Sequence, residues 1–399
     1  MKVVFVTPRY GPLVMGGAET AARQLAEHLI AETGWEAEAY STCALDPHTW
    51  ADELAPGTSQ INGVPVHRFA SAHGRLPEFY GLDGRLRLAP QRASREEGRR
   101  WVDTNGPVSP ELIDAVVASD ADVIAFYPYL YHPTVAAIGK VRVPAVLHPA
   151  AHDEPCLYLP VFRGTFGDAD AFCFHTAAER LLVERTYPVA DKPQIVLGLG
   201  VGESAGAGRP GGEILGLGDR PYIVSVGRVD EHKGSKMLAS YFATYKERHP
   251  GPLALALVGP ISVQLDPHPD IVITGVVDEA DKGDIVRHAQ VAVSPSALES
   301  FSLVVLEAWV DRVAVVVNGT CGPTREHCER SGGGLWFTSY REFEAALERL
   351  LGDPALRRTL GEAGRAYVDR FYRWPVLIER YADFLTSVVA RGRGTPGLL

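Results

Sequence analysis

The sequence predicts an α/β protein of two doubly wound domains, each a parallel sheet with helices on both faces. Three observations predict it. Apolar runs of four to six residues alternate with amphipathic stretches of ten or more, the pattern of strands buried on both faces and joined by covering helices. The chain has 399 residues, more than one hydrophobic core usually serves. Two such alternating series are separated by Gly198 to Gly218, a stretch with nine glycines and almost no apolar periodicity, which reads as a linker.

In the first series the candidate strands are Val3 to Val6, which Thr7 and Pro8 end, then Glu38 to Ser41, Val64 to Phe69, Val123 to Tyr127, Ala145 to His148, Ala171 to Phe174 and Ile195 to Leu197. Helices are expected to start near Ala18, Leu86, Ser109 and Thr176. The second series has strands near Tyr222 to Val226, Ala254 to Val258, Ile271 to Thr274, Val291 to Ser294 and Ala314 to Val317. Its helices run near Lys236 to Arg248, Asp281 to His288 and Leu303 to Trp309. The tail reads as helical from Tyr340 to about Ala390, broken at Asp353, Pro354 and Pro375. This predicts a first domain over 1–200, a glycine-rich linker over 198–218 and a second domain over 219–375, with a helix over 376–391 packing back on the first. Two doubly wound domains facing one cleft would surround it with the carboxyl ends of both sheets, where open parallel sheets bind ligands.

Composition narrows the function. At 46% hydrophobic and 22% charged, the chain is neither largely disordered nor fibrous. With 39 lysines and arginines against 49 aspartates and glutamates, its net charge of -10 is the wrong balance for a general nucleic-acid or anionic-membrane binder. Five cysteines lack the close pairs of a zinc or redox site, and no apolar run approaches 20 residues. A soluble cytoplasmic protein without a transmembrane segment is expected; its oligomeric state is open.

Three loops after strands carry candidate chemistry. The first, Thr7 to Met15, ends in Gly16 and Gly17 at a helix start, where backbone can approach an anion closely. Without a full Gly-x-Gly-x-x-Gly it is not a dinucleotide fingerprint. The second follows Val226 and contains Gly227, Arg228, Lys233 and Gly234 before a helix, two cations and a helix amino terminus suited to a diphosphate. It lacks the order of a Walker loop. The third runs from Ser294 through Glu299, Ser300, Phe301, Ser302 and Leu303 into a helix carrying Glu307. The two glutamates stand eight positions apart, and their carboxylates accept from vicinal hydroxyls, while the amides of Phe301, Ser302 and Leu303 can take phosphate.

Together these loops resemble the retaining glycosyltransferases of family four, glycosyltransferase group 1, with the GT-B architecture of two Rossmann-like domains. Glu-Ser-Phe-Ser-Leu-Val-Val-Leu-Glu, Glu299 to Glu307, is similar to the family's Glu-x-Phe-Gly-x-x-x-x-Glu, with Ser302 where glycine is commoner. The resemblance implies an acceptor-side first domain and a donor-binding second one. It assigns Arg228 and Lys233 to the diphosphate of a nucleotide sugar, Glu299 to the hexose hydroxyls, Glu307 to the ribose, Gly16 and Gly17 to the sugar-phosphate, and His152 to the donor sugar. The implied reaction moves a hexosyl unit to a small soluble acceptor with retention, without metal or cofactor beyond the nucleotide sugar. Rivals are an inverting GT-B transferase or a sugar-nucleotide epimerase, with His152 and Asp153 or Glu154 as general base, and a non-catalytic nucleotide-sugar binder.

Other features fall outside this set. Asp120/Asp122 and Asp168/Asp170 form Asp-x-Asp triplets, but each precedes a strand, at the edge of the sheet opposite ligand loops. Seven arginines between Arg75 and Arg100 make a basic island, read as a solvated helix face with an acidic or phosphorylated acceptor as a minor alternative. Cys321, His327 and Cys328 match no common zinc spacing, and Trp309, Trp336 and Phe337 are expected in the second core.

Overall fold

The computed structural model describes residues 1–14 and 16–394, which divide into two compact units: Met1–Gly200 with the chain from Trp374 onward, and Val201–Arg373. The predicted linker is divided: residues 201–218 belong to the second unit. Their backbone is tied down by a carboxylate. Asp284 accepts the amides of Ala207 and Arg209 on one oxygen (3.1 and 2.9 Å) and that of Gly208 on the other (2.9 Å).

The first unit holds an eight-stranded sheet: β1 (Lys2–Val6), β2 (Glu36–Thr42), β3 (Gly57–Ile61), β4 (Val64–Phe69), β5 (Val123–Phe126), β6 (Ala145–Leu147), β7 (Ala171–Phe174) and β8 (Gln194–Val196). In space the order is β3-β4-β2-β1-β5-β6-β7-β8, parallel except for β3, which pairs antiparallel with β4 at the edge. β5, β6 and β7 are buried at every position, which is why they are unbroken apolar runs. β3, Gly-Thr-Ser-Gln-Ile, has no such run and was not expected.

Helices diverge from expectation where they are polar or short. Leu86 ends a helix, Glu78–Leu86, rather than starting one. The next helix, Arg95–Asn105, opens with a reciprocal capping box between Ser94 and Glu97, a local signal that holds despite its charged composition. His132–Ala137 and Phe162–Asp168 are too brief to show a period.

The helix Trp374–Arg391 completes the first unit, with Pro375 tolerated in its first turn. Trp374 stacks on His28 with ring centroids 3.9 Å apart, and it packs so closely on Gly200 that any Cβ there would lie 2.4 Å from its ring. Tyr381, fully buried, meets His148 at 3.0 Å through its hydroxyl.

The second unit holds six parallel strands: β9 (Tyr222–Val226), β10 (Ala254–Val258), β11 (Ile271–Gly275), β12 (Val291–Ser294), β13 (Val315–Asn318) and β14 (Gly334–Phe337), in the order β11-β10-β9-β12-β13-β14. β14 and the preceding helix Gly322–Ser331 were not anticipated. Trp309 and Phe337 are in the core as expected; Trp336 is not, being 38% exposed beneath the Arg325 guanidinium.

Removing the Tyr381 hydroxyl tests the tie between the last helix and the sheet. Tyr381→Phe strands a buried ring nitrogen of His148 and should destabilise the protein by about 1–3 kcal/mol in urea denaturation. An unchanged midpoint would mean that apolar packing alone holds the helix.

Candidate functional site

In both sheets the order of strands reverses once, between β1 and β5 in the first and between β9 and β12 in the second. Loops at the carboxyl ends of strands beside such a reversal diverge and leave a crevice. The loop after β9 carries Arg228 and Lys233, and the loop after β12 carries Glu299 to Ser302. Topology therefore picks out the same two segments as the sequence.

These loops interlock. Gly234, in the left-handed region at φ 75°, ends the loop after β9 and precedes the helix Ser235–Arg248. A Cβ on it would lie 2.6 Å from the carbonyl oxygen of Pro295, in the loop after β12. Asp230, nearly buried, accepts the Lys233 amide at 2.6 Å and sits 3.3 Å from Arg228 Nε, so one carboxylate orders the stretch bearing both cations. Lys233 Nζ reaches across to Glu299 Oε1 at 2.6 Å. The lysine and carboxylate assigned to different parts of a ligand are thus hydrogen-bonded to one another. Arg228 stays about half exposed.

Glu299 leads into the helix Leu303–Val310 through a strained residue. Ser302 has φ 75° and ψ 77°, which glycine adopts freely and a serine does not. It occupies the position before the helix, yet its hydroxyl makes no capping bond and is buried without a partner. Phe301 beside it is buried edge-on against His327, centroids 4.8 Å apart. Burial pushes the His327 pKa down to about 3, so this ring packs as a neutral aromatic. His327 is therefore part of the packing behind the loop, and Cys321 and Cys328, which match no common zinc spacing, are buried free thiols.

Glu307 lies on the same helix, 3.5 Å from Lys282 Nζ. Burial opposes the charge on Lys282, but Glu307 and Glu279 outweigh it and raise its pKa. The two glutamates are held by different lysines, Glu299 by Lys233 and Glu307 by Lys282. Lys282 and Asp230 were both missed. Asp230 could have been found as a polar residue three before Lys233 in a turn entering a helix; Lys282, on a different connection, leaves no local signal.

In the first unit, Gly16 and Gly17 open the helix Gly17–Thr33 after β1. Gly16 is extended, and its glycine serves close packing: a Cβ would lie 2.3 Å from Glu19 Oε2 and 2.9 Å from Arg9 Nη2, members of a buried ion pair at 2.6 Å. Gly17 has open space around it. Met15 lies outside the described residues.

His152 follows β6, a third exposed, with Nδ1 3.5 Å from Glu154 Oε1. Burial works against the Glu154 charge, but His152 overrides it and holds that carboxyl below its usual pKa. Asp153 instead accepts from Tyr158 at 2.6 Å. His148, in the same segment, is stacked on Tyr127 and buried, its pKa well below normal through desolvation. The Asp-x-Asp residues serve strand entry. Asp122 accepts the Lys2 amide at 2.7 Å, and Asp170 accepts the Ala145 amide at 2.8 Å and pairs with Arg393 at 2.9 Å.

Two glycine exchanges test the loop geometry. Ser302→Gly removes a left-handed serine and a buried unpaired hydroxyl, and should stabilise the protein by about 1 kcal/mol or more. Gly234→Ala drives a Cβ into Pro295 and should cost at least about 2 kcal/mol. Urea denaturation measures both; equal stabilities for the serine and glycine forms at 302 would remove the strain argument.

Residues 213–367 match the family described as Glycosyl transferases group 1. An uncharacterized glycosyltransferase of Methanocaldococcus jannaschii is 27% identical over 394 residues, covering 94% of this chain and 95% of its own. The glycosyltransferase 1 domain-containing protein 1 of Xenopus tropicalis is 23% identical over 164 residues, 39% of this chain; the match spans about half of that relative, 47% of its length. Among solved structures, an E. coli protein chain described as "Trehalose-6-phosphate from E. coli bound with UDP-2-fluoro glucose" superposes with a TM-score of 0.72 at 16% identity, covering 96% of this chain and 99% of that one. The fold is GT-B, and the loops after β9 and β12 fall within residues 213–367, the part of the chain that is similar to the glycosyl transferases of group 1.

Proposed function

We propose that this glycosyltransferase moves a hexosyl unit from a nucleoside diphosphate sugar to a small soluble acceptor with retention of anomeric configuration. The observation that carries the reading is the contact of Lys233 with Glu299 beside Arg228 and the start of the helix Leu303–Val310. Cations, a carboxylate and the amides of a helix start suit a ligand with a diphosphate at one end and hydroxyls at the other. Arg228, Lys233 and the amides of Phe301, Ser302 and Leu303 hold the diphosphate, Glu299 the hexose hydroxyls and Glu307 the ribose. The E. coli neighbour's bound UDP-2-fluoro glucose supports a donor of that class.

In the proposed step the bond from the anomeric carbon to the diphosphate oxygen breaks, and the acceptor oxygen bonds to that carbon from the same face. The acceptor proton passes to the departing diphosphate. No protein base is required, and charge growing on the leaving group is met by Arg228, Lys233 and the helix amides, already in place. His152, Gly16 and Gly17 keep the assignments to the donor sugar and its phosphate that the family resemblance gives them. These cations take the role that a divalent metal would otherwise fill.

A thermal-shift screen with UDP, GDP, ADP and their sugars identifies the donor. Arg228→Ala and Lys233→Ala should then each lower turnover by a barrier of about 2–4 kcal/mol, with turnover of the unaltered enzyme surviving EDTA. Wild-type rates in both variants would sink the diphosphate assignment.

The two glutamates separate by calorimetry. Glu307→Gln should weaken the free nucleoside diphosphate and the nucleotide sugar alike. Glu299→Gln should spare the free nucleotide, and its loss should appear with the intact donor and in kcat. Equal weakening of the free nucleotide by both variants would refute the division of roles.

A further inference from the structure

The segment bearing His152 is fixed by a carboxylate with no part in donor binding. Glu179 lies in the first turn of the helix Ala177–Thr186, which follows β7. It is buried, with one oxygen accepting the Ala151 amide at 2.8 Å and the other the His175 amide at 2.6 Å. Each oxygen thus serves a different loop, one after β6 and one after β7. In an ordinary capping box a glutamate here folds back on the amide of the capping residue, Thr176, whose hydroxyl takes the Glu179 amide at 3.1 Å. Glu179 takes the Thr176 amide as well, and it also reaches past the helix start to the neighbouring strand's loop.

The placement is costly. Burial raises the Glu179 pKa to about 7, against the pull of the His175 and Ala151 amides and of His152. The adjacent His175 ring gives no counter-charge, because its own burial lowers its pKa to about 4. The backbone it fixes is strained: Ala150, immediately before the anchored amide, is left-handed at φ 51°. A left-handed alanine persists where its surroundings over-determine it. The residue following the anchored amide is His152.

We propose that Glu179 is the positioning residue for His152, its carboxylate clamping the Ala150–Ala151 turn so that the imidazole is presented in one orientation to the donor sugar. This rests on the assignment of His152 to that sugar. Glu179→Gln keeps the size of the side chain but turns one acceptor into a donor facing an amide, so one of the two clamps opens. Glu179→Asp keeps the charge but is too short to span both amides.

The test is a double-mutant cycle with His152→Ala, following nucleoside diphosphate release from whichever of UDP-glucose, GDP-mannose or ADP-glucose raises the melting temperature. Glu179→Gln should lower kcat at least tenfold and leave the Kd of the free nucleoside diphosphate within twofold. In the His152→Ala background the same change should cost less than twofold, because the residue it positions is gone. Should Glu179→Gln fail to fold, Glu179→Asp is carried through the same cycle with the same expectations. A kcat within twofold of wild type, or a loss repeated in full without His152, overturns the proposal. Wild-type turnover in His152→Ala alone would instead withdraw the role of His152 itself, while the response of Arg228 and Lys233 variants judges the donor site independently.

Discussion

The second unit's site depends on one missing side chain. Gly234 approaches the Pro295 carbonyl so closely that no Cβ fits between them, and this brings the loops after β9 and β12 together. Asn318, at the end of β13, donates its side-chain amide to the same carbonyl at 3.0 Å, drawing in the loop of a third adjacent strand. The ion pair of Lys233 with Glu299 follows from that proximity. A parallel sheet brings its carboxyl ends to one edge, but side-chain reach needs loops that touch.

With those loops locked, the charges of the crevice stand in place. Asp230 orders the stretch carrying Arg228 and Lys233, Glu299 holds the tip of Lys233, and Lys282 steadies Glu307. Pre-set dipoles and charges need not reorganise as a reaction proceeds, the main electrostatic advantage an enzyme has over water. The cost appears as local strain at Ser302, which forgoes the capping bond a serine at that position normally makes.

What the sequence conveyed depended on the range of the interaction behind each feature. Buried parallel strands such as Val123–Phe126 and Tyr222–Val226 announced themselves because both faces are apolar. The polar edge strand Gly57–Ile61 and the charged helix Arg95–Asn105 carry no apolar period, and only the Ser94 and Glu97 box betrayed the latter. Of the site, the residues within one loop were legible: Arg228 with Lys233, and Glu299 with Ser302. Lys282 and Glu179 were not, because each meets its partner only through the stacking of separate strand connections, at 25 and 28 residues' distance along the chain. Trp336 failed for a simpler reason: on a strand, alternate side chains face opposite ways, and its side of β14 is turned toward Arg325.

The helix Trp374–Arg391 gives the chain an order of assembly. Its residues close the first unit, stacking Trp374 on His28 and joining Tyr381 to His148, yet they follow the whole of the second unit in sequence. During synthesis the second unit leaves the ribosome with all its strands available, while the amino-terminal sheet still lacks its final covering helix. Of the two units, the one begun first is the one finished last, so a nascent chain keeps part of the first sheet's apolar surface uncovered until about residue 390 has emerged.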